Sequence, residues 1–239
     1  MARFLLLPLL AIAAAPGDFV RDEQSASLEF HYEWPAAVNE LPGLRAALQA
    51  DMAHDHRLAL SYVADSRRRA RQNHIDFQPH DYSKSWTIAG TSARLISLTA
   101  DLGAFTGGAH PNSAYFGLVW DRSGDRAVPV ATLLGPALLR RLRPRFCAAL
   151  NAQRAENRGE PVRPDPADPF TTCPAFAELV LAPADANRNR RFERIKVLIA
   201  PYLAGAYVEG SYEVEIRFDA GDVAALPAPW RASFEAARR

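Results

Sequence analysis

The amino-acid sequence predicts an α+β fold, a mainly antiparallel sheet packed by one long helix and one or two shorter ones. Three observations point there. Period-two alternations outnumber helical stripes, and several of these strand-like runs are separated by short turns rather than by helices. In addition, 49% of the 239 residues are hydrophobic, enough for one large core or for two half-domains.

The elements follow in order. Met1-Ala2-Arg3 brings one positive charge, residues 4–12 are apolar apart from Pro8, and Ala11, Ala13, Ala14 and Ala15 are small. That order is a secretory signal peptide, too short to cross a bilayer of roughly 30 Å. Pro16 disfavours a cut directly after Ala15, so cleavage is expected near Ala13, Ala14 or Ala15. No cysteine is close enough to carry a lipid. The expected location is periplasmic or secreted, with no transmembrane segment in the mature chain.

Residues 27–34 alternate without error, placing Leu28, Phe30, Tyr32 and Trp34 on one face of a half-buried strand. Asn39 and Pro42 open a long helix to about Arg71, with Leu44, Leu48, Met52, Ala59, Tyr62 and Val63 as its apolar stripe. Residues 82–90 and 94–102 read as two strands turning at Gly90-Thr91-Ser92. The second sets Ile96, Leu98, Ala100 and Leu102 against Ser97, Thr99 and Asp101. Residues 113–120 are apolar almost throughout and read as a central strand, closed by the Asp121-Arg122-Ser123-Gly124-Asp125 turn. A second helix fits residues 136–157, with Pro144 as a kink or division point. Residues 177–181, 195–199 and 211–218 read as strands, and 230–237 as a short closing helix. The 122–130 segment is the expected seam between an N-terminal half, 16–121, and a C-terminal half, 122–239; one compact unit is the alternative.

Lys and Arg total 28 against 27 Asp and Glu, so the chain is close to neutral and nucleic acid is an unsuitable partner. The Arg67-Arg68-Arg69-Ala70-Arg71 run reads as the solvated cationic end of the long helix, favourable to its dipole. Cys147 and Cys173 are the two cysteines, and an exported pair is expected to form a disulfide. In the chain-entropy model it would stabilise by about 3.5 kcal/mol. It would also pin the proline-rich stretch 158–174, which cannot form regular structure.

Candidate chemistry centres on Thr106-Gly107-Gly108-Ala109-His110-Pro111-Asn112. Glycines on one side and Pro-Asn on the other suit an imidazole presented as a base or hydrogen-bond donor. Equally, Gly107 and Gly108 supply positive φ and Asn112 bonds nearby backbone. Ser113, His110 and Asp101 can be written as a triad, but no Gly-x-Ser-x-Gly elbow positions the serine, and no catalytic residue is assigned. His54-Asp55-His56 is no metal pair, since residues two apart on a helix point about 200° from each other. No metal or other cofactor is expected. Tyr202, Tyr207 and Tyr212, punctuated by Pro201, Gly205 and Gly210, fit either an aromatic surface for sugars or a protein, or a corner of the core. The candidate binding residues are His110, Asn112, Tyr202 and Tyr207.

The 106–112 run, the apolar strand after it, Asp121-Arg122-Ser123-Gly124 and Leu133-Leu134, with the 200–214 run of tyrosine, proline and glycine, resemble a bacterial extracytoplasmic domain. That domain forms the outer part of RsiV-type lysozyme-sensing anti-sigma factors and lies beside the deacetylase module of PdaC-type cell-wall enzymes. With the leading strand and long helix, the resemblance covers nearly all of the mature chain. It implies an exported, envelope-associated binding module that recognises a lysozyme-like hydrolase or peptidoglycan. Neither a sigma-binding segment nor a deacetylase region is expected here. The alternatives are an envelope hydrolase using the His110 turn and a structural envelope protein.

Overall fold

The structure is a computed structural model that describes residues 17–238. The signal-like segment and its cleavage site lie outside the described residues. Strands β1 (Phe19–Gln24) and β2 (Leu28–Trp34) form an antiparallel hairpin. Helix α1 (Pro42–Asn73) then carries the chain across the sheet, so β3 (His80–Thr91) returns parallel to β2. Strands β4 (Leu95–Phe105), β5 (Asn112–Asp121) and the two-residue β6 (Arg126–Ala127) continue as an antiparallel meander, giving the order β1-β2-β3-β4-β5-β6. A three-stranded antiparallel sheet holds β7 (Val180–Ala184), β8 (Arg194–Ile199) and β9 (Tyr212–Arg217). Helix α2 (Val130–Arg158) links the two sheets, and a short α3 (Ala220–Ala225) follows β9. The α+β class and the mainly antiparallel pairing are as the sequence predicts, with β2·β3 as the parallel exception.

Pro42 occupies the first turn of α1, where its missing N–H costs nothing, and His74 ends the helix in the left-handed region at φ 54°. Leu44, Leu48, Ala59 and Val63 are buried as expected, against Leu28, Phe30, Tyr32 and Trp34 of β2 and Ile96, Leu98 and Ala100 of β4. Tyr62 departs from the predicted stripe and is 46% exposed. Its neighbours at the i−3 and i+1 positions take the contact with the sheet, which leaves it at the rim of the helix's buried face.

The opposite face of the sheet is covered by β7. A Cβ at Gly90 would lie 2.5 Å from the Asp185 nitrogen, and one at Gly117 would lie 2.8 Å from Val180 Cγ1, so glycine permits this crossing. As a result β4 is buried on both faces over its first six residues, including Ser97 and Thr99, which its alternation places in solvent. The Thr99 hydroxyl is satisfied by Thr87 at 3.1 Å.

Helix α2 contains a break at Gly135, with φ 72° and ψ 159°, and its main part restarts at Pro136 as predicted. Pro144 sits inside without dividing it. Leu138, Leu142, Phe146 and Leu150 recur every four residues and pack on Ile195, Val197, Val214 and Ile216 in a second core. Cys147 and Cys173 form the disulfide, tying α2 to the proline-rich segment. Arginines reinforce it: Arg154 donates to Thr172 O at 2.9 Å, Arg158 donates to Phe170 O at 3.1 Å, and Arg143 donates to the Pro174 carbonyl.

Four further expectations are corrected. The turn between β3 and β4 begins at Ser92, whose Oγ accepts the Arg94 and Leu95 N–H groups, one step beyond Gly90 and Thr91. The 177–181 strand begins later, at Val180, because residues 176–178 form a 3-10 turn held by Glu178 accepting the Ala175 N–H. The closing helix 230–237 reduces to one 3-10 turn, Arg231–Ser233, while the helix lies earlier, where Asp219 and Asp222 cap α3. Finally, β5 is not central. Its outer neighbour β6 pairs only with Trp120 and Asp121.

Candidate functional site

The β4–β5 connection carries the 106–112 run, with Gly107 at φ +81° providing the left-handed step. At its end the His110 ring bonds the Pro111 carbonyl through Nδ1 at 2.9 Å. A carbonyl only accepts, so Nδ1 is the donor in this contact. The Tyr202 hydroxyl lies 3.4 Å from Nε2. The imidazole stacks on the Tyr207 ring at 4.0 Å with 26° between planes, and Tyr202 lies 5.6 Å from Tyr207. Tyr207 in turn donates its hydroxyl to Pro111 O at 2.8 Å, so one carbonyl anchors two of the three rings.

The β8–β9 connection delivers the tyrosines. Tyr202 takes φ 70°, a left-handed conformation that costs a non-glycine residue of order 1 kcal/mol or more. Gly205 leaves room for Glu209, whose Oε2 would lie 2.5 Å from a Cβ there. Glu209 holds the loop from beneath, accepting from Arg158 Nε at 2.9 Å, Tyr212 OH at 2.5 Å and the Ala206 N–H at 3.0 Å. Burial works to raise its carboxyl pKa, but these bonds outweigh burial and keep it below the usual glutamate range. The platform is therefore a built surface: Tyr202 is 52% exposed, and Leu203 and Val208 stand exposed beside it.

Of the predicted binding residues, His110, Tyr202 and Tyr207 come together. Asn112 opens β5 two residues beyond the histidine, exposed and outside the ring stack. Tyr212 is part of the core instead, 4% exposed, because it begins β9 on the inward phase. The notional triad does not assemble, since both His110 nitrogens face Pro111 and Tyr202. Asp101 lies opposite Tyr115 on β4, with burial and then Glu213 pushing its carboxyl up. The His54-Asp55-His56 run diverges as helix geometry requires: His56 Nε2 meets Glu23 at 2.8 Å, while Asp55 turns into the core. Among the described residues no group of three or more His, Cys, Asp or Glu is placed to hold a metal ion.

Sequence reasoning missed a buried charge cluster between α1 and the sheet. Lys84 is 1% exposed, with Nζ 2.6 Å from Asp51 Oδ2 and 2.9 Å from Asp55 Oδ2. Tyr32 donates to the same Asp51 oxygen at 2.5 Å and accepts from Trp86 Nε1 at 2.8 Å. Burial, then Asp51, pushes the Tyr32 hydroxyl far above its ordinary range. The Tyr82 hydroxyl faces Asp55 without a hydrogen bond of ordinary geometry. The available signal was the position of Lys84 between Tyr82 and Trp86 on the inward phase of β3.

An α+β fold, a mixed six-stranded sheet followed by α2 and a three-stranded sheet, thus carries both clusters. Residues 22–113 match the family model described as Deacetylase PdaC, a segment running from β1 through the His110 turn. A DUF3298 family protein from Pseudomonas aeruginosa PAO1 has a similar structure, with TM-score 0.54 and 13% identity over 91% of this chain and 94% of that one. A DUF3298 member from Bacteroides fragilis NCTC 9343 gives TM-score 0.50 and 14% identity over 84% and 88%. These likenesses show the fold. No curated protein matches the sequence. The resemblance drawn from the 106–112 and 200–214 runs is thus met by a PdaC-type region and a DUF3298-type fold.

Among the described residues no helix is long and apolar enough to cross a membrane. The disulfide is consistent with an extracytoplasmic location.

Proposed function

We propose that this protein is an exported, envelope-associated binding module whose contact face is the His110–Tyr202–Tyr207 platform. One observation carries the reading: two connections 92 residues apart in sequence converge to bring three rings together at the surface, two of them stacked and one, Tyr202, in a left-handed backbone conformation. Stored backbone strain and exposed aromatic area are the marks of a surface shaped for a partner. Aromatic faces with polar tips suit either the sugar rings of peptidoglycan or an apolar knob on a lysozyme-like hydrolase. The engagement of both imidazole nitrogens within the platform favours recognition over proton transfer.

The test is sedimentation of the oxidised mature protein with purified peptidoglycan, and calorimetry with lysozyme. Saturable binding to one of them, weakened at least about tenfold by Tyr207→Ala, is expected, since removing a central aromatic anchor costs on the order of 2 kcal/mol. Binding to neither sinks the proposal. Binding that is indifferent to Tyr207 moves the contact face elsewhere.

A further inference from the structure

The four long outer edges of the two sheets are not alike. Strand β1 carries Arg21, Asp22 and Glu23; β7 carries Pro183; β9 alternates Glu213, Glu215 and Arg217. Charges and proline are the usual means by which an edge strand is kept from pairing with another chain. The outer edge of β5 has neither. Its residues 112–119 read Asn-Ser-Ala-Tyr-Phe-Gly-Leu-Val, without a charge or a proline, and β6 covers only Trp120 and Asp121.

The orientation of the free groups can be read from one bond. The Val128 N–H donates to Val119 O at 2.8 Å, so Val119 faces away from β4. By the alternation of an antiparallel strand, Ser113, Tyr115 and Gly117 point their N–H and C=O groups the same way. Among the described residues none of these groups has a protein partner. Ser113, Phe116 and Gly117 are exposed, and Phe116 keeps 39% of its surface in solvent. Where β6 begins, the edge runs into an apolar groove of about 310 Å³ lined by Leu118, Val128, Pro129 and Val180.

We propose that the β5 edge pairs with the β5 edge of a second copy of this chain, antiparallel about a twofold axis through Tyr115, joining two six-stranded sheets into one. Three features of the strand fit it to itself. It has no charge to repel its own image. The register sets Ser113 against Gly117 of the other copy and Tyr115 against its mate, so small residues flank the paired rings on that face. On the other face it sets Ala114 against Phe116, which covers the exposed ring with room to spare. Ser113, Tyr115 and Gly117 then exchange about six backbone hydrogen bonds across the axis. The β6 wall beside Val119 fixes the register toward the amino-terminal part of the strand.

Sedimentation equilibrium of the oxidised mature protein over a wide concentration range tests this. The expected result is a reversible monomer–dimer equilibrium whose dissociation constant rises at least about tenfold in Tyr115→Lys, which sets two like charges face to face. Ser113→Pro provides a second variant. It removes only an outward N–H, leaves the β4 ladder whole, and should weaken the dimer comparably. Thermal melts of both variants at low concentration should overlay the parent. Amides of Ser113, Tyr115 and Gly117 should exchange more slowly as concentration rises. A chain that stays monomeric throughout overturns the proposal, as does a dimer insensitive to both substitutions or one in which those amides exchange freely.

Discussion

The core under α1 and the core under α2 solve the burial of polar groups differently. Beneath α1, a cation is taken fully inside: Lys84 meets Asp51 and Asp55 among the rings of Tyr32, Trp86 and Phe116. Beneath α2 the core is apolar; the helix's arginines pair with Glu209 and Asp222 at its margins and also reach the carbonyls of a segment with no ladder of its own. The first arrangement fixes one helix on one sheet through ionic bonds that have no substitute in water. The second fixes an irregular segment through a covalent bond and neutral acceptors. A buried ion pair is intolerant of losing one partner, whereas dispersed arginine–carbonyl bonds fail one at a time.

The largest break in this contrast should come from Lys84→Ala. It strands Asp55 and part of Asp51 without their cation and should cost about 3–5 kcal/mol, measured by urea unfolding. A loss below about 1 kcal/mol would mean that the two carboxylates find water. Second in size, Cys147→Ser with Cys173→Ser should cost about 3 kcal/mol and loosen residues 158–174 to proteolysis, while leaving the α1 core intact. Cleavage spreading into α1 would show that the two cores are not separable. Third, Gly90→Ala drives a methyl into the Ala184–Asp185 backbone where β7 crosses the sheet. A loss of about 1–3 kcal/mol is expected, with both cores weakened together, since the contact joins them.

The smallest effect is one of pH. The Arg94 guanidinium, then two backbone N–H groups against the opposing pull of burial, holds the Asp121 carboxyl below its usual range. A depressed folded pKa contributes stability that is present above the unfolded aspartate value, near 4, and is lost as pH falls through the lower folded value. Asp121→Asn should therefore flatten the acid limb of the stability profile below about pH 4 and leave its slope between pH 6 and 8 unchanged. An unaltered acid limb would place the titration elsewhere.

Much of this was legible because periodicity reports which face is buried. The alternation of Leu28, Phe30, Tyr32 and Trp34, the four-residue stripe of α2, and the inward phase of Tyr212, Val214 and Ile216 each map onto the observed cores. What escaped had no such period. Strand β1 is charged along half its length, because an edge with one neighbour need not be apolar. Ser97 and Thr99 lie inside because β7 covers them from a strand much later in the chain, Val180–Ala184, which no local window registers. The convergence of His110 with Tyr202 and Tyr207 is likewise a matter of topology: the sequence marks both turns as unusual but does not say that they meet. Lys84 could be found only by taking the inward phase of β3 at face value and asking what a lysine there must pair with.

The crossing of β7 has a consequence for the order in which the chain assembles. Asp185 donates its N–H to Ala89 O, and Val180 rests on Gly117, so these contacts close only after α2 and the proline-rich segment have been laid down between them. The hairpins of β3, β4 and β5 are local and can form early, whereas bringing β7 home pays the entropy of a long loop before any contact rewards it. The last and slowest event in refolding should thus be the arrival of β7 on the sheet, and the disulfide, by shortening the path from α2 to β7, should act on that rate as much as on the final stability.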